Sequence, residues 1–186
     1  MFRSKSRLGN PQTFAWFGKS ILDDDATTDF TIRCPTKEFR VHKAVLCARS
    51  EVFRAGILTP MQEATNGEIF VKDVGEKTLG SVIKYLYTGE LQLGENPDFS
   101  DLVRAGTKYL LTGFMDLLPL EVMRLDLSGK MMANLLIAAH LHEHEDLRKV
   151  ALNKIRDNRE IIDDKGFREV MKEADPTILM DIVKDL

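Results

Sequence analysis

Phe14, Phe17, Ile21 and Leu22 fall at spacings of three, four and one, which predicts a helix over residues 14–25 with one apolar face that something must cover. The period then changes. Residues 28–34 alternate and are rich in β-branched side chains, Pro35-Thr36 interrupts them, and 37–41 resumes the alternation. This reads as a β-hairpin with Phe30, Ile32 and Cys34 on one side and Phe39 and Val41 continuing on the second strand. Helical spacing returns in 42–48 through Ala44, Val45, Leu46 and Cys47, and in 50–58 through Val52, Phe53, Ile57 and Leu58. Ser50 is placed to cap the second of these helices, with Phe53 as its first inward anchor.

Pro60 and Asn66-Gly67 mark a loop into 68–72, a short strand too apolar to sit wholly exposed. Asp73 to Glu76 has the cap and third-position acid of a helix start, and Leu79, Val82, Ile83, Leu86 and Tyr87 then mark one helical face. Gly89 ends that helix. A brief strand is predicted at 90–93, and the rest is helical: 99–111, 113–125, 128–144, 146–159, 165–174 and 176–185. Asp175-Pro176 supplies a cap followed by a first-turn proline. The pattern predicts a mixed α/β (α+β) core, a small sheet flanked by helices, followed by a helical tail.

Composition narrows the class. A chain of 186 residues, 44% hydrophobic and 30% charged, buries one sizeable core and has room for a small second module. Its net charge of -3 and pI near 5.8 lack the basic footprint of a nucleic-acid binder, so no nucleic-acid partner is expected. Cys34 and Cys47 are the only cysteines and read as reduced thiols of an intracellular protein, with a single disulfide as the minor alternative. No apolar run approaches the roughly 20 residues of a membrane helix, and the N-terminus lacks a signal-peptide stretch. Nucleus or cytoplasm is the expected location, with no membrane partner. Residues 1–13 are expected to be a flexible arm. Arg3, Lys5 and Arg7, with no acid among the first ten residues, read as a frayed end or as a basic arm with a weak import signal.

Candidate chemistry is sparse. There is no Gly-rich phosphate loop, nucleophile elbow or paired-cysteine motif, and Asp23-Asp24-Asp25 and Asp163-Asp164 sit where carboxylates are ordinary, at helix ends and turns. His140, His142 and His144 invite a metal hypothesis. Positions 140 and 144 share a helix face, but His142 points elsewhere and no second Cys/His cluster closes a site. A histidine near a helix C-terminus, favoured by the dipole, is the simpler reading. His42 follows a strand and opens a helix; with no nucleophile or second base in the pattern it reads as a hydrogen-bonded structural histidine. Neither enzyme activity nor a cofactor is expected.

Several separated motifs occur in the order of one family. Thr28-Asp29-Phe30, the run Phe39 to Leu46 with His42-Lys43-Ala44 inside it, Ala48 to Phe53, Tyr85-Leu86-Tyr87-Thr88-Gly89, and Ala105 to Leu110 together resemble the BTB/POZ domain. The likeness is greatest to the subfamily of the speckle-type POZ protein, cullin-3 adaptors that also carry a MATH domain, which is absent from these 186 residues. It covers residues 14–120 as the BTB/POZ domain, and more loosely 121–186, where Ala138 to His142 and Asp146-Leu147 resemble a helical three-box and truncated BACK extension.

The resemblance implies a protein-interaction adaptor in a ubiquitin ligase complex. It implies a homodimer through Phe14, Phe17, Ile21 and Val45, in which Gly18 departs from the larger apolar residue of related chains and changes the packing. It also implies binding to the N-terminal region of cullin-3 through Met61 and Glu63 of Met61-Gln62-Glu63, flanked by Leu58 and Tyr109, and recruitment of a client that the sequence does not name. The alternative is a scaffold or transcription-regulating BTB dimer that binds no cullin.

Overall fold

The computed structural model describes residues 11–59 and 67–185. The first helix, α1 (Pro11–Leu22), begins three residues before the predicted start, with proline in the first turn, where its missing N–H costs nothing. It also ends three residues before position 25. The Asp24 carboxylate accepts from the Ala26 amide at 3.1 Å and closes a short 3-10 turn over Asp25–Thr27.

The hairpin forms as the alternation predicts. Strand β1 (Phe30–Cys34) pairs antiparallel with β2 (Lys37–Val41) in a register that sets Phe30 opposite Val41 and Ile32 opposite Phe39. Strand β3 (Glu68–Phe70) joins the other side of β1 in parallel, giving the order β2-β1-β3. Phe30, Ile32, Cys34 and Val41 are buried. On the outer face Arg33 reaches Glu38 at 3.1 Å and Glu68 at 3.2 Å, linking all three strands through charge.

Helices α2 (Lys43–Arg49) and α3 (Glu51–Leu58) meet at Ser50, which ends one and caps the other. Its hydroxyl accepts from the Phe53 amide at 3.2 Å and donates to the Tyr109 carbonyl at 2.8 Å, 59 residues away in sequence. The long helix α4 (Glu76–Thr88) lies at the centre, burying Leu79, Val82, Ile83, Leu86 and Tyr87, and Gly89 closes it at φ 73°, the left-handed conformation that glycine adopts without penalty.

Two local expectations fail here. Asp73 does not cap α4: Gly75 holds that position and its amide donates to Asp101 at 2.9 Å. Asp73 pairs instead with Lys108 at 2.6 Å, and this hydrogen bond holds its carboxyl below the usual range. Residues 90–93 are not a strand. Leu91 is buried and Leu93 half-buried, as the alternation predicts, but the Gln92 carbonyl accepts from the Ser81 hydroxyl of α4 at 3.1 Å rather than joining a sheet.

The remainder is helical: α5 (Phe99–Lys108), α6 (Thr112–Arg124), α7 (Gly129–Leu141), α8 (Glu145–Asp157), a 3-10 turn (Arg159–Asp163), α9 (Lys165–Met171) and α10 (Pro176–Asp185). The helix predicted over 128–144 stops at Leu141, because Glu143 adopts φ 50° and His144 caps the next helix by accepting from the Leu147 amide at 3.4 Å. Asp175 caps α10 as expected, accepting from the Thr177 amide at 2.8 Å. The division expected at 120/121 falls inside α6. One continuous cluster of buried side chains runs from Phe30 through α4 and α5 to Phe167 and Ile178, so core and tail share a single interior.

Candidate interaction surfaces

Helix α1 lies across α4, and its contact is made by its smallest residues. Ala15 is buried, and a Cβ on Gly18 would fall 2.0 Å from the carbonyl oxygen of Tyr87 and 3.3 Å from the Thr88 Cα. Only a residue without a side chain fits that seat. Gly18 thus acts inward, bringing α1 close to α4.

With Ala15 and Gly18 turned inward, the aromatic side chains of α1 face out. Phe14 is 51% exposed, Phe17 56% and Trp16 71%. Three exposed aromatics within four residues form a large apolar surface left open by the described residues, of the kind that marks an interaction site. Ile21 on α1 and Val45 on α2 are half-buried and packed against the core. Both helices rest on α4, so one support carries all the residues expected at the dimer face. Trp16 is absent from that set because it stands off the apolar stripe 14/17/21/22, a stripe whose own Phe14 and Phe17 face out while Ala15 and Gly18 face the core. The signal available was its side-chain type: a tryptophan off that stripe.

The second expected surface is split. Leu58, at the end of α3, is 64% exposed. Met61 and Glu63 lie outside the described residues. Tyr109 is buried, 4% exposed, with its ring stacked on Phe53 at 4.4 Å. The Tyr109 ring thus lies beneath the surface formed by the described residues, as a support for it. Burial, and secondarily the Asp73 charge, push its phenol far above the ordinary tyrosine value.

The exposed neighbour is Leu110, 59% accessible at φ 52°. It occupies the left-handed position after α5, where the Leu110 amide donates to Thr107 at 3.2 Å and the Leu111 amide to Gly106 at 2.8 Å. Glycine is usual there, and leucine is strained. The alternation between Leu110 outside and Leu111 inside was hidden in an apolar pair.

The histidines of the tail have separate tasks. His140 Nε2 lies 3.4 Å from the Thr177 hydroxyl of α10, which donates to Asp175 at 2.7 Å. His142 is exposed at the end of α7, and His144 caps α8. Among the described residues no three His, Cys, Asp or Glu side chains are grouped to hold a metal ion, and no helix is long and apolar enough to cross a membrane.

Residues 19–121 match the BTB/POZ domain family. TD and POZ domain-containing protein 5 of Mus musculus is 31% identical over 160 residues, which cover 86% of this chain and 47% of that protein. Kelch-like protein 40 of Xenopus tropicalis is 36% identical over 77 residues, 41% of this chain and 12% of the relative. The chain thus spans less than half the length of either. The solved BTB domain of zebrafish PATZ1 superposes with a TM-score of 0.50 over 63% of this chain and 93% of its own, at 18% identity, a likeness of fold alone. With its sheet order, its central α4 and a family match across more than half its length, the chain belongs to the BTB/POZ domain family, whose domains are protein-interaction modules.

Proposed function

We propose that this chain is a self-associating adaptor, without enzyme activity, whose dimer face is the outward side of α1 and whose second surface binds the N-terminal region of cullin-3 to bring a client to a ubiquitin ligase. The observation that carries self-association is the set of Phe14, Trp16 and Phe17 turned outward by the Gly18 seat. A two-fold axis lets one such patch cover its own copy, which is the simplest way to bury it. Ile21 and Val45 line the margin of this contact.

The cullin part rests on the resemblance of Met61-Gln62-Glu63 to the family's cullin-binding pattern and on exposed Leu58 beside it. Methionine fills an irregular apolar pocket and a glutamate supplies a polar companion. Residues 121–186 serve as the three-box and partial BACK extension, and the protein works in nucleus or cytoplasm.

Titrating the cullin-3 N-terminal region onto the chain tests the adaptor. We expect micromolar or tighter binding, with Met61→Ala and Glu63→Ala each weakening it about tenfold or more and leaving the dimer intact. Absence of binding at about 50 μM removes the ligase role and leaves a scaffold or transcription-regulating dimer. Equal losses from distant surface substitutions would contradict the assignment of the site.

A further inference from the structure

Helix α1 passes close to the Tyr87 carbonyl at Gly18, and the Tyr87 side chain leads back to the same helix by a second route. Its hydroxyl oxygen lies 2.8 Å from His42 Nδ1 and 2.8 Å from the His42 amide nitrogen. On the other side of the ring, His42 Nε2 is 2.9 Å from the Thr27 hydroxyl, which is 3.1 Å from an Asp24 carboxylate oxygen. Asp24 stands two residues beyond the end of α1.

With the His42 ring neutral, the protons in this chain have one consistent arrangement. A carboxylate only accepts, so the single Thr27 hydroxyl proton points to Asp24. Were it aimed at His42, two oxygens bearing lone pairs would face each other at 3.1 Å with no hydrogen between them. The Thr27 oxygen therefore accepts from Nε2–H, which leaves Nδ1 with its lone pair. Tyr87 donates to that lone pair and accepts the His42 amide proton in return. Burial raises the Tyr87 phenol above its ordinary value, so the hydroxyl keeps its proton across the neutral range.

We propose that Tyr87, His42, Thr27 and Asp24 form a directional hydrogen-bond relay that clamps the C-terminal end of α1, and that Tyr87 and His42 are thereby positioning residues for the self-association face. The hydrogen bonds run from Asp24, just beyond α1, through Thr27 and His42 to Tyr87, whose backbone carbonyl stands close beside Gly18 of the same helix. The relay fixes the angle at which Phe14, Trp16 and Phe17 are presented. Only this last step rests on the self-association reading; the clamp itself does not.

Two measurements on the full chain test it. Nitrogen NMR of the His42 ring is expected to show a protonated Nε2 and an unprotonated Nδ1. Hydrogen exchange of the α1 amides is expected to quicken about tenfold in Tyr87→Phe and in Thr27→Val, and the dimer dissociation constant to rise by a similar factor. Thr27 is exposed, so Thr27→Val keeps the test informative if Tyr87→Phe does not fold. A protonated Nδ1, or unchanged α1 exchange in Thr27→Val, overturns the relay. Faster exchange with an unchanged dissociation constant overturns the positioning role. A wild-type chain that is monomeric at every concentration refutes self-association, while the ring nitrogens and α1 exchange still decide the clamp.

Discussion

The rings of Phe53 and Tyr109 lie flat against each other, their planes 7° apart and their centroids separated by 4.4 Å. Phe53 is fully buried in α3 and Tyr109 ends α5. The stack, together with the Ser50 bond to the Tyr109 carbonyl, joins the two halves of the BTB domain. A double-mutant cycle with Phe53→Leu and Tyr109→Leu is expected to give a coupling energy of about 1 kcal/mol beyond area burial. Urea unfolding of the four proteins measures it. Additive losses would show that the rings contribute only bulk.

Tyr109 also sets an alkaline limit. Its phenol, and less strongly that of Tyr87, is raised in the folded chain, for each chiefly by burial. A raised value means that the neutral form is favoured on folding. The stability so gained is complete below the unfolded value of about 10 and is lost as pH rises through the folded values. Phenolate absorbance from Tyr109 is therefore expected to appear together with loss of the far-ultraviolet helix signal. Tyr109→Phe should shift that unfolding to higher pH.

Leucine at position 110 spends stability on exposure. Replacing it with glycine at φ 52° relieves roughly 1 kcal/mol of backbone strain and is expected to raise the melting temperature by several degrees. If Leu110 belongs to the partner surface, the same change weakens partner binding. Calorimetry and the cullin-3 titration together separate the two effects.

Gly18→Ala should do the reverse of a conservative change. The new methyl meets a backbone carbonyl at 2.0 Å, and backbone cannot swing aside as a side-chain end does. A loss of about 1 to 3 kcal/mol is expected from overpacking, with α1 displaced and sedimentation shifted toward monomer. Alanine at Gly94, where nothing lies within 4 Å, is the control.

The sheet and the buried face of α4 were legible because both are written in period, whereas on α1 the period picks out Phe14 and Phe17, which face out over a contact made by Ala15 and Gly18. Phe30, Ile32 and Cys34, and Leu79 through Tyr87, are inward in the fold as they are in the pattern. Tyr109 and Leu110 show where period stops helping: at the end of a helix, a single left-handed residue decides which of two adjacent apolar side chains faces water. Residues 90–93 have a strand's alternation but no strand beside them among the described residues, and pairing is a property of neighbours far away in sequence. Asp73 departs from the cap its local pattern predicts for a similar reason. Lys108, 35 residues on, competes for the carboxylate more strongly than the local amides do.

Ser50 carries a consequence for the order of assembly. Its bond to the Phe53 amide is three residues long and forms as soon as α3 does, whereas its bond to the Tyr109 carbonyl spans 59 residues. During synthesis at roughly 5 to 20 residues per second, about 3 to 12 seconds separate the emergence of the two partners. Throughout that interval the α2–α3 corner has its cap but lacks its cover, and Phe53 has no ring to lie on. Until α5 has been made, the α2–α3 corner therefore lacks both the stacking ring and the carbonyl that tie it to the rest of the core.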